Sequence, residues 1–199
     1  MQIFLETERL VLRRATLDDL DAIVELDSDP KVTWFVTGGR ATPREVLRDE
    51  VLPRWFSFYD RYPGFGYFIA IEKATGDFLG WFLLRPNDKP VRSDGSTRDG
   101  IELGYRLRQA SWGKGYATEG SKALVDKGFA DLGVERIFAE ALAVHGASRR
   151  VMEKAGLRFV RACRDNWPDK IPGDENGDVE YALTRDEWRV LTGADAATR

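Results

Sequence analysis

Apolar residues in this chain change their spacing from one segment to the next. From Thr7 to Arg14, Leu10 and Leu12 alternate with Arg9, Val11 and Arg13, the period-two pattern of a first strand. Thr16, with Asp18 and Asp19 behind it, opens a helix that ends near Asp27, and Asp29-Pro30 breaks it. Residues 28–39 read as a loop. Thr42-Pro43-Arg44-Glu45 has the form of a capping box with proline at the first helical position. Its helix runs to about Asp60, with Pro53 expected to interrupt or kink it. Phe65 to Glu72 and Phe78 to Leu84 are apolar strands joined by Lys73-Ala74-Thr75-Gly76-Asp77, a hairpin. Residues 85–100 are polar and read as a mobile loop. Ile101 to Leu107 is the fourth strand, and a long helix after it closes at Gly133. Arg136 to Val144 is the fifth strand, and Ala147 to Ala155 is a helix stopped by Gly156. Leu157 to Arg164 and Val179 to Leu183 are the last strands. Thr184-Arg185-Asp186-Glu187, a second capping box, opens a short final helix. The pattern predicts one domain over residues 1–192, of α/β or α+β class, followed by a frayed tail over 193–199.

Composition narrows the function classes. The chain has 199 residues and a net charge of −3, with no basic stripe, which argues against nucleic acid as partner. Its single cysteine, Cys163, excludes a disulfide framework within the chain and suits a reducing cytoplasm. The start of the chain shows neither a basic n-region nor an apolar h-region, and no apolar run approaches 18 residues, so neither a signal peptide nor a membrane span is expected. With one histidine and one cysteine, no metal site is expected.

The segment Trp112-Gly113-Lys114-Gly115-Tyr116-Ala117-Thr118 stands between the fourth strand and the long helix. Glycines allow a tight turn and close backbone approach, and the first N–H groups of a helix lack partners. Together they suit phosphate oxygens. A Walker loop would need Gly where Arg108 stands and Ser/Thr where Gly115 stands. A dinucleotide fingerprint would need Gly where Thr118 stands.

The same segment resembles the acyl-CoA loop of the GNAT acyltransferases, Gln/Arg-x-x-Gly-x-Gly/Ala, with Gly115 and Ala117 at the small positions and Trp112 in place of Gln or Arg. Its wording is similar to that of the RimJ/RimL-like branch, and the likeness runs from about Leu5 to Leu191. The resemblance implies a mixed, mostly antiparallel sheet flanked by helices and splayed between the fourth and fifth strands. It implies acetyl-CoA as acyl donor and an amine, in a small molecule or at a protein N-terminus, as acceptor. Neither nucleic acid nor membrane enters as a partner, and a homodimer is compatible with it.

The resemblance also assigns residues. The backbone of Gly113, Lys114, Gly115, Tyr116, Ala117 and Thr118 is expected to hold the diphosphate, with Lys114 adding charge. The edge of the fourth strand, at Tyr105, Arg106 and Leu107, is expected to pair with the pantetheine arm, and Arg106 or Leu107 to polarise the thioester carbonyl through its N–H. An amine is mostly protonated at neutral pH, so a base is needed; Glu102 is the candidate, with Glu140 second. In the following helix Met152 stands where many relatives have a proton-donating Tyr, and His145 where they have Asn. Ser148 is the expected hydrogen-bond donor to the leaving thiolate, and His145 a cofactor contact. Trp34, Phe35, Trp55, Phe56 and Tyr59 can wall an acceptor cleft. Asp165, Asp169, Asp174, Glu175 and Asp178 form an acidic loop able to steer a cation. Cys163 reads as a core residue rather than an acyl carrier. An acyl-CoA-binding module without catalysis is the alternative.

Overall fold

The computed structural model describes residues 2–87, 91–92, 95–164 and 170–194. Eight strands form one sheet: β1 (Ile3–Glu6), β2 (Leu10–Arg14), β3 (Gly66–Glu72), β4 (Phe78–Pro86), β5 (Ile101–Leu107), β6 (Arg136–Leu142), β7 (Arg158–Cys163) and β8 (Asp178–Thr184), in the order β1-β2-β3-β4-β5-β6-β8-β7. Every neighbouring pair is antiparallel except β5 and β6. The helices are α1 (Leu20–Ser28), α2 (Pro30–Thr37), α3 (Arg44–Val46), α4 (Leu52–Arg61), α5 (Tyr116–Ala130), α6 (Gly146–Lys154) and α7 (Arg185–Thr192).

Helices cover both faces of the sheet. Alternate residues of the central strands feed two cores, as strands buried on both sides require. Leu10, Leu12, Phe68, Phe82, Leu84, Leu103 and Leu107 pack with Leu124, Val125 and Phe129 of α5 and Met152 of α6. On the opposite face Tyr67, Ile69, Trp81 and Leu83 pack with Ile23 and Leu26 of α1 and Leu52, Trp55 and Phe58 of α4. No helix among the described residues is long and apolar enough to cross a membrane.

Four local expectations need correction. The strand expected over Thr7 to Arg14 is β2 and starts only at Leu10, and an unexpected strand, β1, precedes it: Thr7 N–H and Oγ1 exchange hydrogen bonds with Leu10, turning the chain between the two. Residues 30–37 are helical, because Asp29 caps Lys31 N–H at 2.9 Å, Pro30 sits at the first helical position, and Gly38 closes the end with φ 68°. No side chain caps the helix at Pro43; Thr42 Oγ1 donates instead to Asp27 Oδ2 at 3.2 Å. Pro53 does not break the helix, since a wide π-type turn over Leu47–Val51 precedes it and the helix continues to Arg61. The box at Thr184 does form: Thr184 N–H donates to Glu187 Oε2 at 2.9 Å, and Thr184 Oγ1 accepts from Glu187 N–H.

The predicted splay is the feature that matters for function. The expected fourth and fifth strands are β5 and β6. They pair only at Ile101↔Ile137 and Glu102↔Phe138, although each is fully paired on its other side. Beyond Glu102 the two strands part. α5 leaves β5 at this opening and lies on the sheet through small residues: a Cβ on Gly120 would stand 2.4 Å from the Phe82 ring, and one on Gly128 2.9 Å from Ile137 Cδ1. Gly120→Val is therefore expected to lift α5 from the sheet. Overpacking of this kind costs roughly 1–3 kcal/mol, to be read as a lowered denaturant midpoint with unchanged slope.

Candidate active site

The parting of β5 and β6 opens a cavity of about 980 Å3. Its walls are α2 (Lys31, Trp34, Phe35), the end of β5 (Tyr105, Arg106, Leu107), the 111–118 segment, the end of β6 (Glu140, Ala141, Leu142) and the start of α6 (His145, Ser148). Gly113, Gly115, Tyr116, Ala117 and Thr118 line it, as do His145 and Ser148. Lys114 and Glu102 are not among the lining residues.

At its outer end the cavity meets a helix start with bare donors. Gly113 (φ 74°) and Gly115 (φ 87°) take left-handed conformations that only glycine adopts without strain. α5 opens at Tyr116, and no side chain caps it. The N–H groups of Tyr116, Ala117 and Thr118 thus have no acceptor within the helix, and the helix dipole adds positive character. Trp112, the departure from the loop pattern, closes the turn with its side chain. Its indole N–H donates to the Leu107 carbonyl at 2.8 Å and ties the loop to the end of β5.

An arginine absent from the sequence-based expectations braces this loop. Arg9, between β1 and β2, donates from NH1 to the Lys114 carbonyl at 2.9 Å and from Nε to Glu119 Oε2 at 2.7 Å, and lies over the Tyr116 ring. Glu119 also accepts from Thr7 Oγ1 and Arg9 N–H. Burial pushes the Glu119 carboxyl up, but these hydrogen bonds outweigh it and hold the group below the usual range. The contacts span 105 and 110 residues of chain, so no local pattern announces them.

The main chain of β5 settles which amide faces the opening. Arg108 N–H donates to the Leu79 carbonyl at 2.8 Å on β4. By strand alternation the amide of Arg106 also turns to β4, while those of Tyr105 and Leu107 face the parted edge. Of the two expected carbonyl-polarising donors, only Leu107 presents its N–H there. The Arg106 side chain lies over Trp81 and pairs with Asp27 at 2.5 Å.

The inner end holds the polar side chains. Tyr105 spans the gap, its hydroxyl 3.0 Å from both Oγ and the carbonyl of Ser148. Burial pushes the phenol up to about 12, so it is a neutral hydroxyl at physiological pH. The Met152 side chain is packed in the core and takes no part in the cavity. The His145 ring stacks on Phe35 of α2 with centroids 4.0 Å apart.

Both carboxylate candidates are already engaged. Glu102 does not reach the cavity; cross-strand pairing sets it beside Arg85, whose guanidinium lies 2.8 Å away. Glu140 lines the cavity, yet it accepts from Arg92 Nε at 2.8 Å on Oε1 and from Arg98 Nε at 2.8 Å on Oε2. Arg92 also bridges to Glu180, which binds Arg136 and Arg161 as well. Within the segment expected to be mobile, the described residues Arg92 and Arg98 are thus anchored on β6 and β8, and a bridge joins Val91 to Thr97. Cys163 lies beside this cluster, away from the cavity, its thiol pushed up to about 11 chiefly by burial. Of the expected cleft aromatics on α4, Trp55 and Tyr59 are core residues, and Phe56 packs partly buried against that core. Of the acidic loop, Asp165 and Asp169 lie outside the described residues, and Asp178 is buried at the start of β8.

Among the described residues on the cavity wall Glu140 is the only acidic one, against Lys31, Arg106, Arg150 and Lys154. Bare helix donors, a cationic rim and an unpaired strand edge suit a long ligand bearing phosphates and amides.

The family profile described as "Acetyltransferase (GNAT) domain" matches residues 9–158. The FsC-acetyl coenzyme A-N(2)-transacetylase of Aspergillus fumigatus is 33% identical over 186 residues, 92% of this chain and 77% of that protein. Among solved structures, the ribosomal L7/L12 α-N-protein acetyltransferase RimL with coenzyme A superposes with a TM-score of 0.72 at 16% identity, covering 94% of this chain and 99% of that one. The spermidine N-acetyltransferase of Vibrio cholerae with coenzyme A and spermine gives 0.70 at 15% identity, covering 92% and 99%.

Replacing Arg9 by Ala removes the charged brace from the Lys114 carbonyl. The dissociation constant for coenzyme A, read by calorimetry, is expected to rise about tenfold, the worth of one charge-assisted hydrogen bond. Glu119 anchors Arg9 only while ionised. The sign follows from its lowered pKa: the brace is intact above the usual carboxylate range and weakens as pH falls through the depressed value.

Proposed function

The chain belongs to the GNAT acetyltransferase family and is an acetyl-CoA-dependent N-acetyltransferase, and on that premise we propose that it acetylates a primary amine of a small molecule by direct attack in a ternary complex. The observation that carries the reading is the parted β5 edge with the bare α5 start at its outer end and Ser148 at its inner end. Relatedness to an N(2)-transacetylase over 92% of the chain supports a small-molecule nitrogen over a protein N-terminus. The Trp112–Thr118 wording supports a place in the RimJ/RimL-like branch. Residues 1–192 are taken to act as one unit, in a reducing cytoplasm.

Acetyl-CoA supplies an activated acyl group and a thiol leaving group. The N–H groups of Gly113 to Thr118 hold its diphosphate, with Arg9 and Trp112 fixing the loop. The open edge of β5 aligns the pantetheine arm. Leu107 N–H donates to the carbonyl oxygen as negative charge grows on it, a contact that strengthens along the reaction. Ser148 Oγ donates to the departing sulfur, with the Tyr105 hydroxyl fixing its orientation. Phe35 and His145, stacked on each other, form an aromatic part of the cavity wall.

The test is thiol release from acetyl-CoA with a panel of small amines and of peptides with free N-termini. Release with small amines supports the reading, peptide preference reverses the acceptor, and tight coenzyme A binding without release favours a non-catalytic module. Ser148→Ala is expected to lower kcat about tenfold or more, as for a lost hydrogen bond to a charged group. KM for acetyl-CoA should stay within about twofold, since the contact forms mainly as the thiolate departs.

A further inference from the structure

We propose that His145 is the base that takes the proton from the incoming ammonium group. The proposal rests on the acetyl-transfer reading and adds the proton acceptor which that reading lacks. Among the described residues lining the cavity, two side chains are of the carboxylate or imidazole type that serves as a general base, Glu140 and His145; the others are cations, phenols, hydroxyls or apolar groups. Glu140 already gives one oxygen to Arg92 and the other to Arg98. Both of its oxygens are therefore already committed to charge-assisted hydrogen bonds, and neither is free to take the proton of an incoming amine.

His145 has the opposite situation. Its ring is held face to face on Phe35, 19° from parallel, and this leaves the ring edge with both nitrogens uncommitted. No hydrogen bond engages either nitrogen among the described residues. The residue stands at the start of α6, one turn before Ser148. One helix end therefore carries both the group that receives the proton from the acceptor and the group that stabilises the leaving sulfur. A helix start disfavours positive charge, and the largely buried ring is shifted below the ordinary imidazole value by burial. The charged and titratable groups on the surrounding elements are Lys31 on α2, Tyr105 and Arg106 on β5, Glu140 on β6, and Arg149, Arg150 and Lys154 on α6; burial is the cause of the shift. The imidazole is thus neutral at pH 7, which a base must be, and readily returns its proton to solvent.

The protons balance as follows. The ammonium gives one proton to an imidazole nitrogen of His145. The freed amine lone pair forms the N–C bond to the thioester carbonyl carbon, whose oxygen takes the displaced electron pair. The oxygen lone pair re-forms the carbonyl, the C–S bond breaks, and the second nitrogen proton ends on the departing thiolate. The products are the amide, the thiol and one proton left on His145.

The experiment compares ethylamine, protonated at neutral pH, with methoxyamine, which has nearly the same shape and is not. His145→Phe keeps an aromatic ring to stack on Phe35 and removes the base; His145→Asn removes both. In His145→Phe, kcat/KM with ethylamine is expected to fall about 100-fold, the lower range for general base catalysis. With methoxyamine it should fall less than about fivefold, because no proton has to leave before attack. Added imidazole should restore part of the ethylamine rate in His145→Asn. The acid limb of the wild-type profile, where activity is lost as pH falls below the depressed imidazole value, should vanish. Equal losses with both acceptors, or no loss with either, overturn the proposal. Coenzyme A binding by calorimetry separates the readings: a wild type that fails to bind it overturns acetyl transfer itself, whereas a variant that binds it normally isolates the proton step.

Discussion

The strand edge that β5 leaves without a partner beyond Glu102 governs this structure. Peptide groups inside a protein need hydrogen-bond partners, and a sheet ordinarily supplies them on both sides of a central strand. Here β6 stops pairing after Phe138, so the amides of Tyr105 and Leu107 face a gap. A few residues further on, the first turn of α5 leaves more amides bare. Two sets of main-chain donors thus point into one cavity, and both suit a ligand with carbonyl and phosphate oxygens. The backbone, rather than any one side chain, defines this arrangement.

Much of that arrangement was legible in the letters, and the reasons are local. Glycines 113 and 115 between a strand pattern and a helix pattern specify a tight turn and a helix start, and both are read from a window of a dozen residues. The hairpin at residues 73–77 and the final capping box at Thr184 are equally local and form as expected. Even some misses were readable: Asp29, Pro30 and Gly38 are a cap, a first-turn proline and a C-terminal stop, yet the short apolar segment between them passes for a loop. At the Thr42 cap, by contrast, tertiary structure prevailed, because the hydroxyl found Asp27 across the fold.

What remained hidden depends on long-range pairing. Nothing near Arg9 indicates that it will support a loop more than a hundred residues away. The choice between Arg106 and Leu107 needed the register of β5 on β4. Glu102 looked like a base because it is the lone acid in its strand, but the facing residue on β4 is Arg85. His145 drew notice as a departure from Asn, and only the stack on Phe35 shows what the change achieves: it ties α6 to α2 across the cavity and sets an imidazole on its wall. The active site is thus assembled from a legible backbone frame and illegible side-chain partnerships.

The arginines and glutamates beneath the cavity respond to heat differently from the apolar layers. Arg92, Arg98, Arg136 and Arg161 pair with Glu140 and Glu180, with the Arg92 and Glu180 side chains almost fully enclosed. Enclosing charge is costly because water solvates it well, and that advantage of water shrinks as the solution warms, while apolar cohesion levels off. The charged fastening beside the cavity therefore holds comparatively better at high temperature than the apolar cores, so warming should loosen the helices before it frees these ion pairs.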